Sequence, residues 1–260
     1  MKTNIPVFLS AISAVLQLVF FHGSAQSATD TLINQAFGDQ FELKRTESGD
    51  LMTIAAIAAS EDYLYLYDMA DRSIAEFDSD GELLRKIKLQ SIGRGEYVGD
   101  DFVVRDDEAI FLNTVDSRLE FFDLNKGLFR KSIGFPREIP LQGNLRRYQL
   151  INRIFIDDSK LWIGNSHAVF AIDDNAILQK VSAAQVKQFS TSGLVAVFRK
   201  ENPVFCRSGK IQWQKKSVAV QTPRHPLPGK NLTIFQGNLY ICSISNTGFS
   251  VTATGLAEGK

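Results

Sequence analysis

A repeat of about 45 residues constrains the fold of this chain more than any other feature of its sequence. When residues 57–87 are shifted by 45 positions onto residues 102–132, no gap is needed, and Phe77 falls on Phe122. Apolar positions meet apolar positions, and polar turns meet polar turns. A fixed period of this length is typical of solenoids, propellers and other repeat architectures.

Each copy consists of short β-rich runs separated by polar turns. In the first copy these turns lie at 60–62, around Asp71 and at 79–81. Such runs indicate antiparallel hairpins, and four strands in a unit of this size match one propeller blade. We therefore predict an all-β fold, a β-propeller of four-stranded antiparallel blades. The alternatives are a β-solenoid, whose coils are shorter, and a sandwich, which need not repeat.

Weaker copies extend the repeat to five legible units. They cover residues 154–173, 194–211 and 232–254. In the second of these, residues 205–209 align with the Phe-x-x-x-Gly turn of the first copy. The blade number is five, or six if a degenerate copy lies within 134–148. The last copy lacks a fourth strand, and residues 41–45 alternate as a strand does, so we predict that they complete the last sheet and hide its open edge.

The N-terminus has the layout of a secretory signal peptide. Lys2 precedes an uncharged, mostly apolar run at 5–21, and the small residues Ala25 and Ser27 precede a cut before Ala28. A retained membrane anchor is the alternative. A spanning helix, however, needs about 20 residues in total, and they are more uniformly apolar than the run at 5–21. No cysteine lies near the cut to make a lipobox. We predict a signal peptide at 1–27, a single propeller domain at 28–260, and a secreted or periplasmic location.

Charge and cysteine content narrow the partners and the chemistry. Lys plus Arg and Asp plus Glu number 29 each, without a long run of one sign, which predicts no nucleic-acid partner and no membrane surface after signal cleavage. Cys206 and Cys242 could pair in an oxidising compartment. Nothing in their spacing shows that their Cα atoms approach, so pairing stays open. With His167 and His225 they cannot build a zinc site of the usual spacing.

Four residues stand out as candidate binding residues in channel or inter-blade loops: Asp71, Asp116, Arg94 and Glu96. Asp71 and Asp116 occupy the same repeat position, where they could form a ring of carboxylates for a cation or a basic partner. Their repetition at equivalent turns favours Asx turns, in which the carboxylate holds backbone N–H groups. Asp62 and Asp107 have the same explanation.

The segment Gly93-Arg94-Gly95-Glu96 resembles a phosphate loop only superficially. It lacks the following Lys-Ser/Thr, and no helix pattern opens after it. A turn whose glycines take positive φ explains it better. Arg94 could still point into the central channel.

Two segments resemble secreted six-bladed β-propellers of the NHL-repeat type that are common in Bacteroidetes. They are the strand–turn–strand run from Tyr65 to Gly81 and the inter-blade run from Ile92 to Tyr97. The resemblance covers residues 51–135 well and implies a fold rather than an activity. Lactonases and peptide-amidating lyases of related shape hold a metal at the channel. The two mature histidines exclude a His-rich site, but an all-oxygen Ca²⁺ site stays open.

The functional expectation is an exported, non-catalytic binding or interaction module. No Gly-x-Ser-x-Gly elbow is present, and no cofactor is predicted. Its partner would be a peptide, a glycan or a protein, bound by a monomer. The alternative is a Ca²⁺-dependent propeller hydrolase or lyase, lactonase-like, with its site at the central channel. A third hypothesis is a shortened relative without a function of its own.

Overall fold

A computed structural model describes the strands of this chain and most of their turns. The described residues are 29–38, 40–45, 47, 49, 51–90, 98–99, 101–135, 138–139, 149–151, 153–157, 160–164, 169–172, 178–180, 194–196, 204–207, 210–213, 216–219, 232–235 and 238–255. Their regular structure is 24 β-strands. A search of these residues finds no helix long and apolar enough to span a membrane.

The two closest copies of the repeat form one four-stranded antiparallel sheet each. Sheet I contains β4 (Ile54–Ala59), β5 (Leu64–Asp68), β6 (Ser73–Phe77) and β7 (Leu83–Lys88). Sheet II contains β8 (Asp101–Arg105), β9 (Glu108–Asn113), β10 (Arg118–Asp123) and β11 (Phe129–Gly134). The predicted strands and turns of both copies are confirmed.

The weaker copies form three further four-stranded sheets. Sheet III contains β14 (Arg153–Asp157), β15 (Lys160–Gly164), β16 (Val169–Ile172) and β17 (Leu178–Lys180). Sheet IV contains β18 (Leu194–Ala196), β19 (Val204–Arg207), β20 (Lys210–Trp213) and β21 (Lys216–Ala219). Sheet V contains β22 (Leu232–Phe235), β23 (Asn238–Ile244), β24 (Gly248–Gly255) and an N-terminal strand, β1 (Thr29–Ala36).

Two short ribbons complete the described strands. β2 (Lys44–Arg45) pairs with β3 (Leu51–Met52), and β12 (Glu138–Ile139) pairs with β13 (Gln149–Leu150). The second ribbon falls in and just after the region considered for a degenerate copy, and its described part is two-stranded. In sheet IV the second strand ends at Arg207 and the third begins at Lys210, so the alignment of 205–209 with the third turn of the first copy was wrong.

The sheets are arranged as in a β-propeller, with small antiparallel sheets placed in a ring. The first strands of successive sheets contact one another in the order β22, β4, β8 and β14, so sheets V, I, II and III pack in succession. One apolar layer fills each of the three spaces between them. The fold class is therefore confirmed as all-β and propeller-like.

Burial of both faces of a strand explains why β5 has the sequence Leu-Tyr-Leu-Tyr-Asp. Leu64 and Leu66 belong to the layer shared with sheet V, and Tyr65 and Tyr67 to the layer shared with sheet II. All five residues of the strand are buried. Alternate side chains point to opposite faces, so a sheet between two neighbours needs apolar residues on both.

Strand β1 completes sheet V, and the prediction that residues 41–45 would do so was wrong. β1 pairs antiparallel with β24 in a register that places Ile33 opposite Val251. The Phe41 ring instead lies buried near Phe249, at a centroid distance of 4.9 Å, and near Phe77 at 6.3 Å. The alternation of residues 41–45 therefore reflects one aromatic side chain packed between sheets V and I, and not a strand of sheet V. The expectation that an N-terminal segment closes the last sheet is met by a different segment.

The third turn of a sheet packs against the outermost strand of the preceding sheet. Gly81, at φ 83°, approaches β1 so closely that a Cβ there would lie 2.5 Å from the backbone oxygen of Leu32. Gly127, at φ 67°, approaches the backbone oxygen of Lys88 in the same way, and its carbonyl accepts a hydrogen bond from Gln90 N at 2.9 Å. Glycine is required at both turns because these positions leave no room for a side chain.

Candidate binding site at the entry face

The first strands of the sheets begin on one face of the molecule. In sheet I the register places Ile54 beside Asp68, Asp68 beside Ser73, and Ser73 beside Lys88. The start of the first strand, the second turn and the end of the fourth strand therefore lie together. We call this side the entry face. Asp71 and Asp116 both lie on it, in the second turns of sheets I and II.

Asp71 is held by lysines, and the Asx position of its turn belongs to Asp68. The Asp68 carboxylate accepts a hydrogen bond from Asp71 N at 3.2 Å. The Asp71 carboxylate instead pairs with Lys86 at 3.1 Å and with Lys88, and accepts a hydrogen bond from Ser73 Oγ. Burial alone would raise the pKa of Asp71, but the hydrogen bonds from Lys88, Lys86 and Ser73 outweigh it and lower the pKa to about 2.

The same correction applies to Asp116 in sheet II. Asn113 Oδ1 accepts the hydrogen bond from Asp116 N at 2.9 Å, and the Asp116 carboxylate pairs with Arg118 at 2.7 Å. The residue that caps this turn is thus Asn113, the last residue of the second strand, which lies three positions before Asp116. A strand-ending Asp or Asn is the better signal because its side chain lies under the turn that follows.

The turns on the opposite face also differ from the prediction for Asp62 and Asp107. Ser60 Oγ accepts the hydrogen bonds from Asp62 N and Tyr63 N. The Asp107 carboxylate pairs with Arg130 at 2.6 Å. Asx turns do occur on this face, at Asp78 and Asp123, whose Oδ1 atoms each accept two backbone N–H groups.

Arg94 and Glu96 lie outside the described residues. Val98 and Gly99, which follow them and lead into sheet II, are buried. Across the part of the chain that the structure describes, no group of three or more His, Cys, Asp or Glu side chains is placed to hold a metal ion. The carboxylates of Asp71 and Asp116 are each held by cations of their own sheet.

Asp101 and Arg153 meet at the inner edge of the ring, and the sequence reasoning missed both. β8 and β14 are the terminal strands of their sheets, so backbone N–H groups that point away from the sheet have no strand to bind. Asp101 Oδ1 accepts from Phe102 N, and Asp101 Oδ2 accepts from Ile154 N, both at 3.1 Å. One carboxylate thereby joins two neighbouring sheets.

Arg153 lies beside this carboxylate with part of its donor set unused. Its Nε is 3.5 Å from Asp101 Oδ2, and the two side chains are 15% and 5% exposed. Arg153 Nε and Nη1 are buried and make no hydrogen bond to the described residues. A buried donor without a partner costs about 1–3 kcal/mol. An arginine that opens a first strand, next to an aspartate that opens the preceding one, is the signal that could have found this pair.

Two other groups on the entry face have unused hydrogen-bonding capacity. Arg72 Nε and Nη2 are buried and without a hydrogen bond among the described residues. Glu120 is fully buried, with Oε1 accepting from Asn113 and Arg118 while Oε2 accepts nothing in the described part. Burial raises the pKa of the Glu120 carboxyl, and the two hydrogen bonds oppose this rise.

Cys242 is a core residue of the apolar layer between sheets V and I. It is buried, its thiol is free, and burial raises its pKa to about 12. A nucleophilic cysteine needs an accessible thiolate. In this structure Cys242 is a free cysteine and not half of a disulfide.

Comparison with known proteins yields similarity of arrangement only. No family model matches the chain, and no curated protein matches it. Among solved structures, an exported protein from Bacteroides fragilis has a TM-score of 0.43 at 12% identity, over 87% of this chain and 73% of that one.

Two enzymes have similar arrangements. Virginiamycin B lyase from Staphylococcus aureus has a TM-score of 0.41 at 10% identity, over 87% of this chain and 98% of that one. Glutaminyl cyclase from Myxococcus xanthus has a TM-score of 0.36 at 12% identity, over 76% and 72%. Similarities at this level do not define a family or an activity.

Proposed function

We propose that this protein is an exported, non-catalytic β-propeller that binds its ligand at the entry face. The observation that carries the proposal is Arg153, whose buried guanidinium at the inner edge of β14 retains donors that no described residue accepts. Unused donors in a buried, preformed position favour recognition of a ligand. Asp71 and Asp116, in contrast, are engaged in ion pairs that stabilise their own turns.

The compartment is part of this proposal. We infer that residues 1–27 are a signal peptide cleaved before Ala28, which places the mature protein outside the cytoplasm. β1 begins at Thr29, so cleavage there would leave the strand whole. A cleavage site further into the chain would remove a strand from sheet V.

The number of blades and the relationship to other propellers are the second part of the proposal. We propose that sheet IV, which follows sheet III and precedes sheet V along the chain, completes a five-bladed ring. The NHL-type strand–turn–strand run and the inter-blade run at 92–97 support a relationship to secreted Bacteroidetes propellers. A monomer with a peptide, glycan or protein partner fits this architecture.

A metal-titrated thermal-unfolding series tests the proposal against its enzymatic alternative. The mature protein would be melted with EDTA and then with Ca²⁺, Mg²⁺ or Mn²⁺. A ligand specific for the native state raises the melting temperature with its occupancy. We expect a cooperative transition that is indifferent to all three metals. A saturable rise with Ca²⁺, together with turnover in a lactone and ester screen, would contradict the proposal and establish the hydrolase.

A further inference from the structure

We infer that Glu120 is a pH-sensitive switch for the second turn of sheet II, which its carboxylate holds in place and which the uptake of a proton releases. The turn belongs to the entry face, so the consequence for ligand binding rests on the proposed function, whereas the switch itself does not. Three properties of Glu120 carry the inference. Its carboxylate orients the residue that caps the turn, it lacks a full counter-charge, and its second oxygen has no acceptor for a proton.

The Glu120 carboxylate fixes the orientation of the cap. Asn113 caps the turn when its Oδ1 accepts from Asp116 N, and its Nδ2 then donates to Glu120 Oε1 at 3.1 Å and to Asp116 Oδ2 at 3.2 Å. Arg118 makes the same bridge, from Nε to Glu120 Oε1 and from Nη2 to Asp116 Oδ2, both at 2.7 Å. Glu120 and Asn113 are fully buried. A carboxylate only accepts, so it keeps the Asn113 amide turned the way the cap requires.

The equivalent turn of sheet I shows what a full set of counter-charges looks like. Lys86 lies opposite Ala75 in the register of β6 and β7. It pairs with Asp68 at 3.2 Å and with Asp71 at 3.1 Å, and Lys88 also pairs with Asp71. Two ammonium groups thus balance two carboxylates in this turn.

Sheet II has one cation for two carboxylates. Glu120 occupies the position of Ala75, and Ser132 lies opposite it instead of a lysine, because the hairpin of β10 and β11 contains one more residue between paired positions. Among the described ion pairs, Arg118 alone joins Glu120 and Asp116. Burial and the charge of Asp116 raise the pKa of Glu120, and the hydrogen bonds from Asn113 and Arg118 oppose this rise.

The other groups that face Glu120 supply no further counter-charge. Phe111 lies opposite it on β9, and Arg72, in the second turn of sheet I, forms no ion pair with it among the described contacts. Strand alternation directs two tyrosines and one ion pair of sheet I towards sheet II. They are Tyr65, Tyr67 and the pair of Glu76 with Arg85. The tyrosines are uncharged in the acidic range, and the ion pair is closed at 2.8 Å.

A proton on Glu120 has no place in the present arrangement. Oε1 already accepts two N–H groups, so the proton goes to Oε2. Oε2 is buried and has no hydrogen-bond partner among the described residues, so the new O–H would be a buried donor without an acceptor, which is unfavourable. Displacement of the Glu120 side chain relieves this cost, and it removes the acceptor that orients Asn113. Protonation is therefore coupled to release of the cap.

The experiment follows Glu120 and Asn113 in the wild-type protein. NMR spectra of the side-chain carboxyl carbon of Glu120 and of the side-chain NH₂ group of Asn113, assigned by triple-resonance methods, would be recorded from neutral pH down to about pH 4. We expect a midpoint for Glu120 above its ordinary value of 4.5. The Asn113 signals should shift with the same midpoint, because the two side chains share one hydrogen bond.

Two variants separate the switch from a general effect of acid. Glu120→Gln should abolish the response of Asn113 in this pH range. Glu82→Gln, which removes an exposed carboxyl in the third turn of sheet I, is the matched control and should leave that response unchanged. A raised pKa makes the ionised side chain less favourable in the folded protein than in the unfolded chain. Wild type should therefore gain stability relative to Glu120→Gln as the pH falls from neutral to 4.5, which urea unfolding measures.

The outcomes distinguish this inference from the proposed function. A Glu120 midpoint at or below 4.5 overturns the switch. So does a raised midpoint with indifferent Asn113 signals, or acid unfolding of the whole chain without an earlier change at Asn113. Because these signals are read on wild-type protein, a folding defect in Glu120→Gln leaves the test intact. Metal-dependent turnover would overturn the proposed function and leave the switch standing.

Discussion

Asp68 and Asn113 occupy the same place in sheets I and II, and the difference between them follows from their neighbours. Asp68 lies 3.2 Å from Lys86 Nζ, so a carboxylate at this position has a counter-charge. Asn113 instead faces Glu120 and Asp116, to which its amide group donates. A carboxylate at position 113 would be the third negative charge of that group. The residue type thus changes while the capping role is kept.

Asp71→Asn should change how the free energy of unfolding depends on pH in the acidic range. The pKa of Asp71 is about 2 in the folded protein, against an ordinary value of 3.8. A depressed pKa stabilises the fold above 3.8, and this contribution is lost as the pH falls towards 2. The variant should therefore be less stable than wild type at pH 7, by a difference that shrinks between pH 4 and pH 2. Urea unfolding across this range measures it.

Lys88→Met provides the companion measurement, because Lys88 donates a hydrogen bond to the Asp71 carboxylate and lowers its pKa. It should reduce the same pH dependence while leaving the carboxylate in place. A difference between wild type and Asp71→Asn that was equal at pH 2.5 and pH 7 would contradict the assignment.

At the scale of elements, the molecule repeats one contact between neighbouring sheets. The third turns of sheets I and II press a glycine onto the outermost strand of the sheet before, which is β1 for Gly81 and β7 for Gly127. The preceding sheet therefore needs its fourth strand to receive this turn. In sheet V that strand comes from the N-terminal end of the chain, which links sheet closure to the packing of sheet I.

Gly127→Ala should destabilise the protein by about 1–3 kcal/mol, because the Cβ meets the backbone of Lys88 and the residue has a φ of 67°. Gly134→Ala is the matched control. It is exposed at the end of β11, with nothing within 4 Å of an added Cβ, and should change stability by less than about 0.5 kcal/mol. Equal losses in the two variants would refute the close approach. Chemical denaturation at neutral pH compares them.

The strands that the sequence predicted correctly are those with apolar residues on both of their faces. β5 and β9 are runs of large apolar residues, buried between two sheets, and their spacing by 45 residues shows the repeat. β1 was missed because it is an outer strand, in which Ile33 is the one fully buried residue among the described side chains from Asp30 to Ala36. Phe41 attracted the strand prediction because a buried aromatic with polar neighbours looks like alternation.

The site was harder to predict than the fold because it depends on contacts between sheets. Asp101 and Arg153 are 52 positions apart and come together only when first strands of neighbouring sheets meet. Asp71 and Asp116 stood out because they repeat, yet repetition marked turns stabilised within each sheet. Features that repeat support the scaffold, and the unrepeated Arg153 is the candidate for recognition.

At the scale of the whole molecule, the central claim is that the first and last described strands, β1 and β24, pair to complete one sheet of a ring. β1 and β24 lie in antiparallel register from Thr29–Thr254 to Ala36–Gly248. This pairing joins residues 29–36 to the last sheet that the structure describes. It also gives sheet I the strand on which its third turn packs.

Hydrogen exchange of the protein, read by mass spectrometry on short peptides, tests this claim most directly. Backbone N–H groups held in a sheet exchange slowly because exchange requires local opening. We expect the N–H groups of residues 29–36 that face β24 to exchange slowly, and the turn at 60–63 to exchange quickly. Fast exchange of residues 29–36, at the rate of an unstructured tail, would contradict the account and leave sheet V without its fourth strand.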